Sequence, residues 1–229
     1  MRTLAIVAAA AAALAVGAAP AQATNECEGL VVCVPVAGPW VVVPSGVGVP
    51  RQRVEFQLSC PRGHVVGGLD AELSHRAIDV GFLGTLGSPV NPGITTARAA
   101  VFTASFVGWS PRISTFRPHI GCVPGSGGGG RIPTVVAPGR PTVRRVRTVP
   151  VRAGTQTVAR GCARGERLVG AAHAIGFRTR TPASASLVGT VRGARAIRGG
   201  RVVVTVRADA ELEGVRAVAQ VQAICSRAA

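Results

Sequence analysis

Two cysteine pairs at nearly equal spacing constrain this chain more than any other feature. Cys60 and Cys122 are separated by 62 residues, and Cys162 and Cys225 by 63. The sequences around them agree. Cys60-Pro61-Arg62-Gly63-His64-Val65-Val66-Gly67-Gly68 aligns with Cys162-Ala163-Arg164-Gly165-Glu166-Arg167-Leu168-Val169-Gly170, and Ile120-Gly121-Cys122 with Ala223-Ile224-Cys225. Gly81-Phe82 has a counterpart in Gly176-Phe177 after a short deletion. Matches at a fixed period indicate an internal repeat. If both copies fold alike, the bridges are Cys60–Cys122 and Cys162–Cys225, which leaves Cys27–Cys33 as the third. All six cysteines are then disulfide-bonded, as in an exported protein.

The residues between the cysteines read as strands. Val215 to Cys225 alternates, with apolar residues at every odd position and Arg216, Gln220 and Gln222 among the even ones. Arg201–Arg207 is short and β-branched, and Val54–Leu58 and Val101–Val107 behave likewise. Gly and Pro punctuate these runs about every ten residues, the spacing of a sandwich or barrel. No amphipathic helix follows the N-terminal run. The expected fold is all-β: two tandem disulfide-tied β-sandwich or barrel-like modules related by internal duplication, each of about five strands.

The expected boundaries are a signal peptide over 1–23, an N-terminal segment with the first module over 24–122, a Gly/Pro/Arg-rich linker over 123–156 and the second module over 157–229. Arg2, the apolar run Leu4–Val16 and Ala21-Gln22-Ala23 have the order of an export signal. That run is short for a membrane span, and no later stretch is long and apolar enough for one. The expected location is therefore secreted or extracellular.

The two openings resemble an uncharacterised class of bacterial exported β modules. In that class a module opens with a Cys-Pro-x-Gly…Gly-Gly signature and closes with Ala-x-Cys. The first copy keeps Cys60, Pro61, Gly63, Val66, Gly67 and Gly68, with Val66 one place late. The second has Ala163 for the Pro and Val169 for one Gly, and it keeps Ala223-Ile224-Cys225. The resemblance covers residues 56–122 and 158–225. It implies a scaffold and carries no activity or functional residue with it.

Charge is unevenly distributed. All 26 basic residues are Arg, against 10 acidic residues, giving a net charge of +16. A GC-rich genome favours Arg codons, but the charge acts physically whatever its origin, and it favours acidic partners. Residues 24–130 are nearly balanced, whereas the middle segment and the C-terminal half are strongly basic. The polyanion-binding candidates are Arg144, Arg145 and Arg147 in the linker and Arg160, Arg164, Arg167, Arg178, Arg180, Arg192, Arg195, Arg198 and Arg201 in the second module. Guanidinium forks suit carboxylate and phosphate oxygens.

No motif points to catalysis, a metal or a cofactor. Gly108-Trp109-Ser110-Pro111-Arg112 starts like a nucleophile elbow but lacks the final Gly and the following helix, and Ser126 lies in a glycine run. His64, His75, His119 and His173 lack metal-ligand spacing. Asp70 and Glu72 would share one face of a strand, near His75 and Asp79. Ala172 and Ala174 stand at their counterparts in the second copy, which argues against a shared active site. Trp40 and Trp109 are the only tryptophans and there is no Tyr, so stacking platforms for glycans or single strands are scarce. Both tryptophans are expected in the core.

The expected function is a secreted, non-enzymatic binding protein for an acidic extracellular polymer or surface, with no specific nucleic-acid partner. The alternatives are a structural envelope-associated protein without a discrete ligand, or a hydrolase using the first module's carboxylates.

Overall fold

The alternating run that ends the repeat forms a strand, Ala217–Arg227, whose two faces serve different purposes. Ala217, Ala219, Val221, Ala223 and Cys225 enter one apolar core, while Gln220 and Gln222 bond to a different part of the chain. The computed structural model describes residues 24–46, 51–84, 97–125, 142–212 and 214–227. The strands are β1 (Val34–Ala37), β2 (Trp40–Val43), β3 (Arg53–Ser59), β4 (His64–Leu73), β5 (Ile78–Gly84), β6 (Ala99–Phe106) and β7 (Ser114–Pro124). They continue with β8 (Thr142–Val151), β9 (Gly154–Gly161), β10 (Glu166–Phe177), β11 (Val191–Arg198), β12 (Arg201–Ala208) and β13 (Ala217–Arg227). A short helix, α1 (Ala185–Gly189), is capped by the Ser184 hydroxyl accepting from Leu187 N–H.

All pairings among the described strands are antiparallel. One large sheet has the order β4-β7-β1/β2-β10-β13-β8, with β1 and β2 following each other along one edge of β7. Two small sheets have the orders β3-β6-β5 and β9-β12-β11. The pairing order is the same in both halves: strands one, four and three form a small sheet, and strands two and five enter the large one. The halves join where Gly176 and Phe177 of β10 pair with Val41 and Trp40 of β2. Three antiparallel steps separate β4 from β10, so these two strands run in opposite directions and the second half is turned over. Its small sheet therefore covers the opposite face of the large sheet.

The expected disulfides form, each with a Cα–Cα distance of 5.7 Å. In the chain-entropy account each long bridge contributes about 4 kcal/mol and the short one about 2 kcal/mol. Both long bridges sit beside a β-bulge, between Val66 and Gly68 in β4 and between Leu168 and Gly170 in β10. Val66 lies opposite Cys122, and Leu168 opposite Cys225. The repeated Cys-x-Arg-Gly is a turn. Gly63 and Gly165 have φ of 80° and 79°, while His64 N–H bonds Pro61 O and Glu166 N–H bonds Ala163 O. This is type II geometry, whose third residue requires positive φ.

Each half has its own core. The first gathers Val41, Val43, Phe56, Val66, Phe102, Phe116 and Ile120; the second gathers Val158, Phe177, Val202, Val204, Val206 and Val221. Across the turned-over junction, β3 lies on the far face of β13. There Gln220 accepts from Gln57 N–H (2.7 Å) and donates to Gln57 O (3.0 Å), completing the backbone of β3 as a neighbouring strand would. Gln222 donates to Glu55 O at 3.1 Å.

Two expectations change. Residues 142–151, expected in a linker, form β8, which pairs with β13 along its length from Ala217↔Val151 to Ser226↔Thr142. Five of the eight residues from Thr142 to Val149 are β-branched, and the Arg run concealed that composition. Trp109, expected in the core, is 95% exposed in the β6–β7 connection, whereas Trp40 is 3% exposed at the junction. The glycine run at 126–130 lies outside the described residues.

Candidate functional site

A cleft of about 840 Å³ lies at one end of the second half. One wall is the start of β10, from Glu166 to Gly170; the other is the β11–β12 hairpin, from Ile197 to Arg201. The end of β9, with Arg160 and Cys162, closes the base. The hairpin turn is Gly199-Gly200, with φ of 54° and 69°, the two positive values that a type I′ turn requires.

Arg160, Arg167 and Arg201 line this space, Arg160 and Arg201 from opposite faces of the small sheet. Arg160 Nε is buried without a hydrogen-bond partner. Glu166, the carboxylate in the lining, is already occupied: Arg145 Nε donates to its Oε2 at 3.2 Å, Arg145 Nη2 donates to its Oε1, and Ala163 N–H donates to Oε2 at 2.9 Å. Its charge is therefore compensated from outside the cleft, and the three Arg residues set the local field. Ile197 (61% exposed) and the exposed Val169 add an apolar rim.

The other expected Arg residues divide by environment. Arg164 lies exposed in the turn above the cleft, and Arg198 pairs directly with Arg201 across the hairpin. At the far end of the same sheet Arg192 pairs directly with Arg207. Like charges directly opposite each other destabilise a ladder, so both positions favour a counter-anion. Arg195 Nη1 donates to Ala171 O, which ties the hairpin to β10. Arg178 and Arg180 are exposed past the end of β10, away from the cleft, and Arg147 is exposed on β8. Arg145 serves Glu166. Arg144 is not a surface residue at all. It forms an ion pair with Glu55, their side chains only 4% and 8% exposed, and donates to Gln222 Oε1 at 2.9 Å. It belongs to the junction between halves, because β8 presents it beneath β3.

The acidic stretch of the first half is dispersed among partners. Asp70 Oδ2 accepts from Asn25 N–H at 2.7 Å, and Asp79 is exposed on β5. Glu72 Oε1 stands 3.3 Å from His119 Nε2, while Glu26 Oε1 stands 3.5 Å from His119 Nδ1. This Glu–His–Glu contact escaped sequence reasoning, since the three residues come from the N-terminal loop, β4 and β7. The glycine signature was its available signal. Gly68 and Gly121 are cross-strand partners, and a Cβ on either would collide with the Glu26 carbonyl. The glycines thus open a window that admits the Cys27–Cys33 loop onto the sheet. In the second half Ile224 takes the place of Gly121, and its side chain lies against Gly170.

The remaining His residues are structural. His75 Nε2 lies 2.7 Å from Ser114 Oγ; burial and then Arg112 lower its pKa. His173 is lowered by burial first and by Arg195 second, against a Gly193 backbone hydrogen bond that raises it. His64 bonds Arg62 O at its own turn. Cys162, Glu166 and Cys225 place ligand-type atoms within 4.8 Å of one another, but both sulfurs are in a disulfide and offer no thiolate. Among the described residues no helix is long and apolar enough to cross a membrane.

No protein-family model matches the chain, and neither a curated protein nor a solved structure matches it.

Proposed function

We propose that this is an extracellular, non-enzymatic binding protein that holds an acidic ligand in the cleft of its second half. The observation that carries this reading is the charge around the cleft: Arg160, Arg167 and Arg201 line it, while Glu166 is held by Arg145 and Ala163. The opposed pairs Arg192/Arg207 and Arg198/Arg201 extend the positive field over the same small sheet. Three disulfides support an oxidising compartment; the expected signal at 1–23 lies outside the described residues. Matching pairing orders, bulges and bridges support an origin by duplication.

The hydrolase reading has less support, because Asp70 and Glu72 face separate partners and Asp79 is exposed on another strand. The test is binding of the full chain to a polyanion panel (DNA, an anionic wall polymer, a sulfated glycan, anionic vesicles) across a salt series. A saturable complex that persists at physiological salt is expected. Replacing Arg160, Arg167 and Arg201 together with Gln should weaken it by about thirtyfold or more, a few charge-assisted contacts being lost. Equal binding to every polyanion, collapsing as salt rises and indifferent to these three residues, would mean simple counterion release and would refute the proposal.

A further inference from the structure

The small sheet of the second half turns one face to solvent, and that face has its own charge pattern. Val202, Val204 and Val206 of β12 enter the core, so Arg201, Val203, Thr205 and Arg207 point outward. Their partners on β11 point outward with them, Arg198 opposite Arg201 and Arg192 opposite Arg207. The two opposed Arg pairs stand six residues apart along β12, about 20 Å at 3.3 Å per residue. Between them the face is neutral and low, with Ala159, Ala194 and Ala196, and with Thr205 directly opposite Thr157. A Cβ at Gly161, beside Arg201 on β9, would stand 3.1 Å from Arg201 Cγ, so the glycine gives that side chain room to lie across the sheet. β9, β11 and β12 contain no acidic residue. Asp209 and Glu211 follow the end of β12, and Glu166 is held by Arg145. β12 is the central strand of its sheet, so protection of an exposed edge does not account for its Arg residues. By register, Arg201, Arg207 and Arg192 stand where the first half has Ala99, Ser105 and Asp79. Opposed like charges weaken a ladder, yet the second half carries two such pairs on one face.

We infer that this outer face binds a linear polyol-phosphate polymer. Phosphodiester groups seat at the two Arg pairs, and the polyol segment between them lies along the strands. Each pair offers two guanidinium forks to one tetrahedral anion, a fit for phosphate oxygens. Thr157 and Thr205 offer hydroxyls to the polyol, and the Ala residues let its chain approach the sheet. The three strands carry no aromatic side chain on which bases could stack, which disfavours single-stranded nucleic acid. Reaching both pairs requires a chain of about 20 Å or more, and occupying both gains affinity through effective concentration. This site goes beyond the cleft reading, since Arg192 and Arg207 lie at the far end of the sheet and only Arg201 is common to both.

The experiment measures binding of the disulfide-intact full chain, at physiological salt, to poly(glycerol phosphate) of two lengths: a dimer that reaches one Arg pair, and a chain of about 20 units that reaches both. The long chain should saturate and bind at least about tenfold more tightly per phosphate than the dimer. Arg192→Gln with Arg207→Gln, both exposed, should weaken the long chain about tenfold and abolish the advantage of length. Near-ultraviolet circular dichroism should be unchanged and thermal stability not reduced, since opposed like charges are removed. Arg178→Gln with Arg180→Gln removes the same charge elsewhere and should weaken binding less than about twofold. Single-stranded DNA of equal charge should bind at least about fivefold more weakly. The inference is overturned by equal binding of the two lengths per phosphate, by DNA that binds as well, or by an Arg192/Arg207 variant no weaker than the Arg178/Arg180 one. If Arg160→Gln with Arg167→Gln removes binding while Arg192→Gln with Arg207→Gln does not, the outer face fails and the cleft reading stands. If neither pair of changes matters, both fail.

Discussion

The buried pair Glu55–Arg144 converts the junction between halves into a measurable quantity. Their side chains are 8% and 4% exposed, so removing one partner leaves the other charge without full compensation. Breaking such a pair costs about 3–5 kcal/mol. The two single changes should not be equal. In Arg144→Met, Glu55 keeps the solvent-facing Arg53, whose Nη2 lies 2.8 Å from Oε1, so about 2 kcal/mol is expected. In Glu55→Leu, Arg144 keeps only the neutral Gln222 oxygen, so the cost is about 3 kcal/mol. The double variant removes both charges but leaves Gln222 Oε1 without its Arg donor, and should lose about 2 kcal/mol. The coupling energy is then about 3 kcal/mol. Urea unfolding followed by the fluorescence of buried Trp40 measures all three. At about 2–4 °C per kcal/mol for a chain of this size, Glu55→Leu should lower Tm by about 6–12 °C. Arg144→Met within about 0.5 kcal/mol of wild type would place this Arg at an ordinary surface position and refute the junction described above.

Two more predictions follow from local environments. Burial and Arg195 hold the pKa of His173 below its ordinary value of 6.5. The unfolded chain therefore binds more protons, and stability should fall as pH drops from about 6.5 through the lowered folded-state value. His173→Gln should remove that part of the pH dependence, and Arg195→Gln should move the His173 NMR titration midpoint upward. The two tryptophans should behave oppositely: Trp40→Ala should cost about 3–5 kcal/mol, whereas Trp109→Ala should change stability by less than about 0.5 kcal/mol and should abolish the iodide-quenchable part of the fluorescence.

Part of this architecture is legible in features that travel with the chain. Equal cysteine spacing specified the pairing, because two copies of one motif have few ways to close alike. Alternation in Val215–Cys225 specified a strand with one buried face, since side chains along a strand alternate with a period of two. Cys-x-Arg-Gly specified a turn, through the glycine that must take positive φ. The rest depends on which strands meet. Arg144 reads as one of a run of charges until β8 is laid against β13 beneath β3. Glu26, Glu72 and His119 lie far apart in the chain and come together only through the register of β4 on β7 and the Gly68–Gly121 window. The cleft lies between the start of β10 and the β11–β12 hairpin, two elements of different sheets. Cross-strand register is a property of the assembled sheet, so no local pattern announces it.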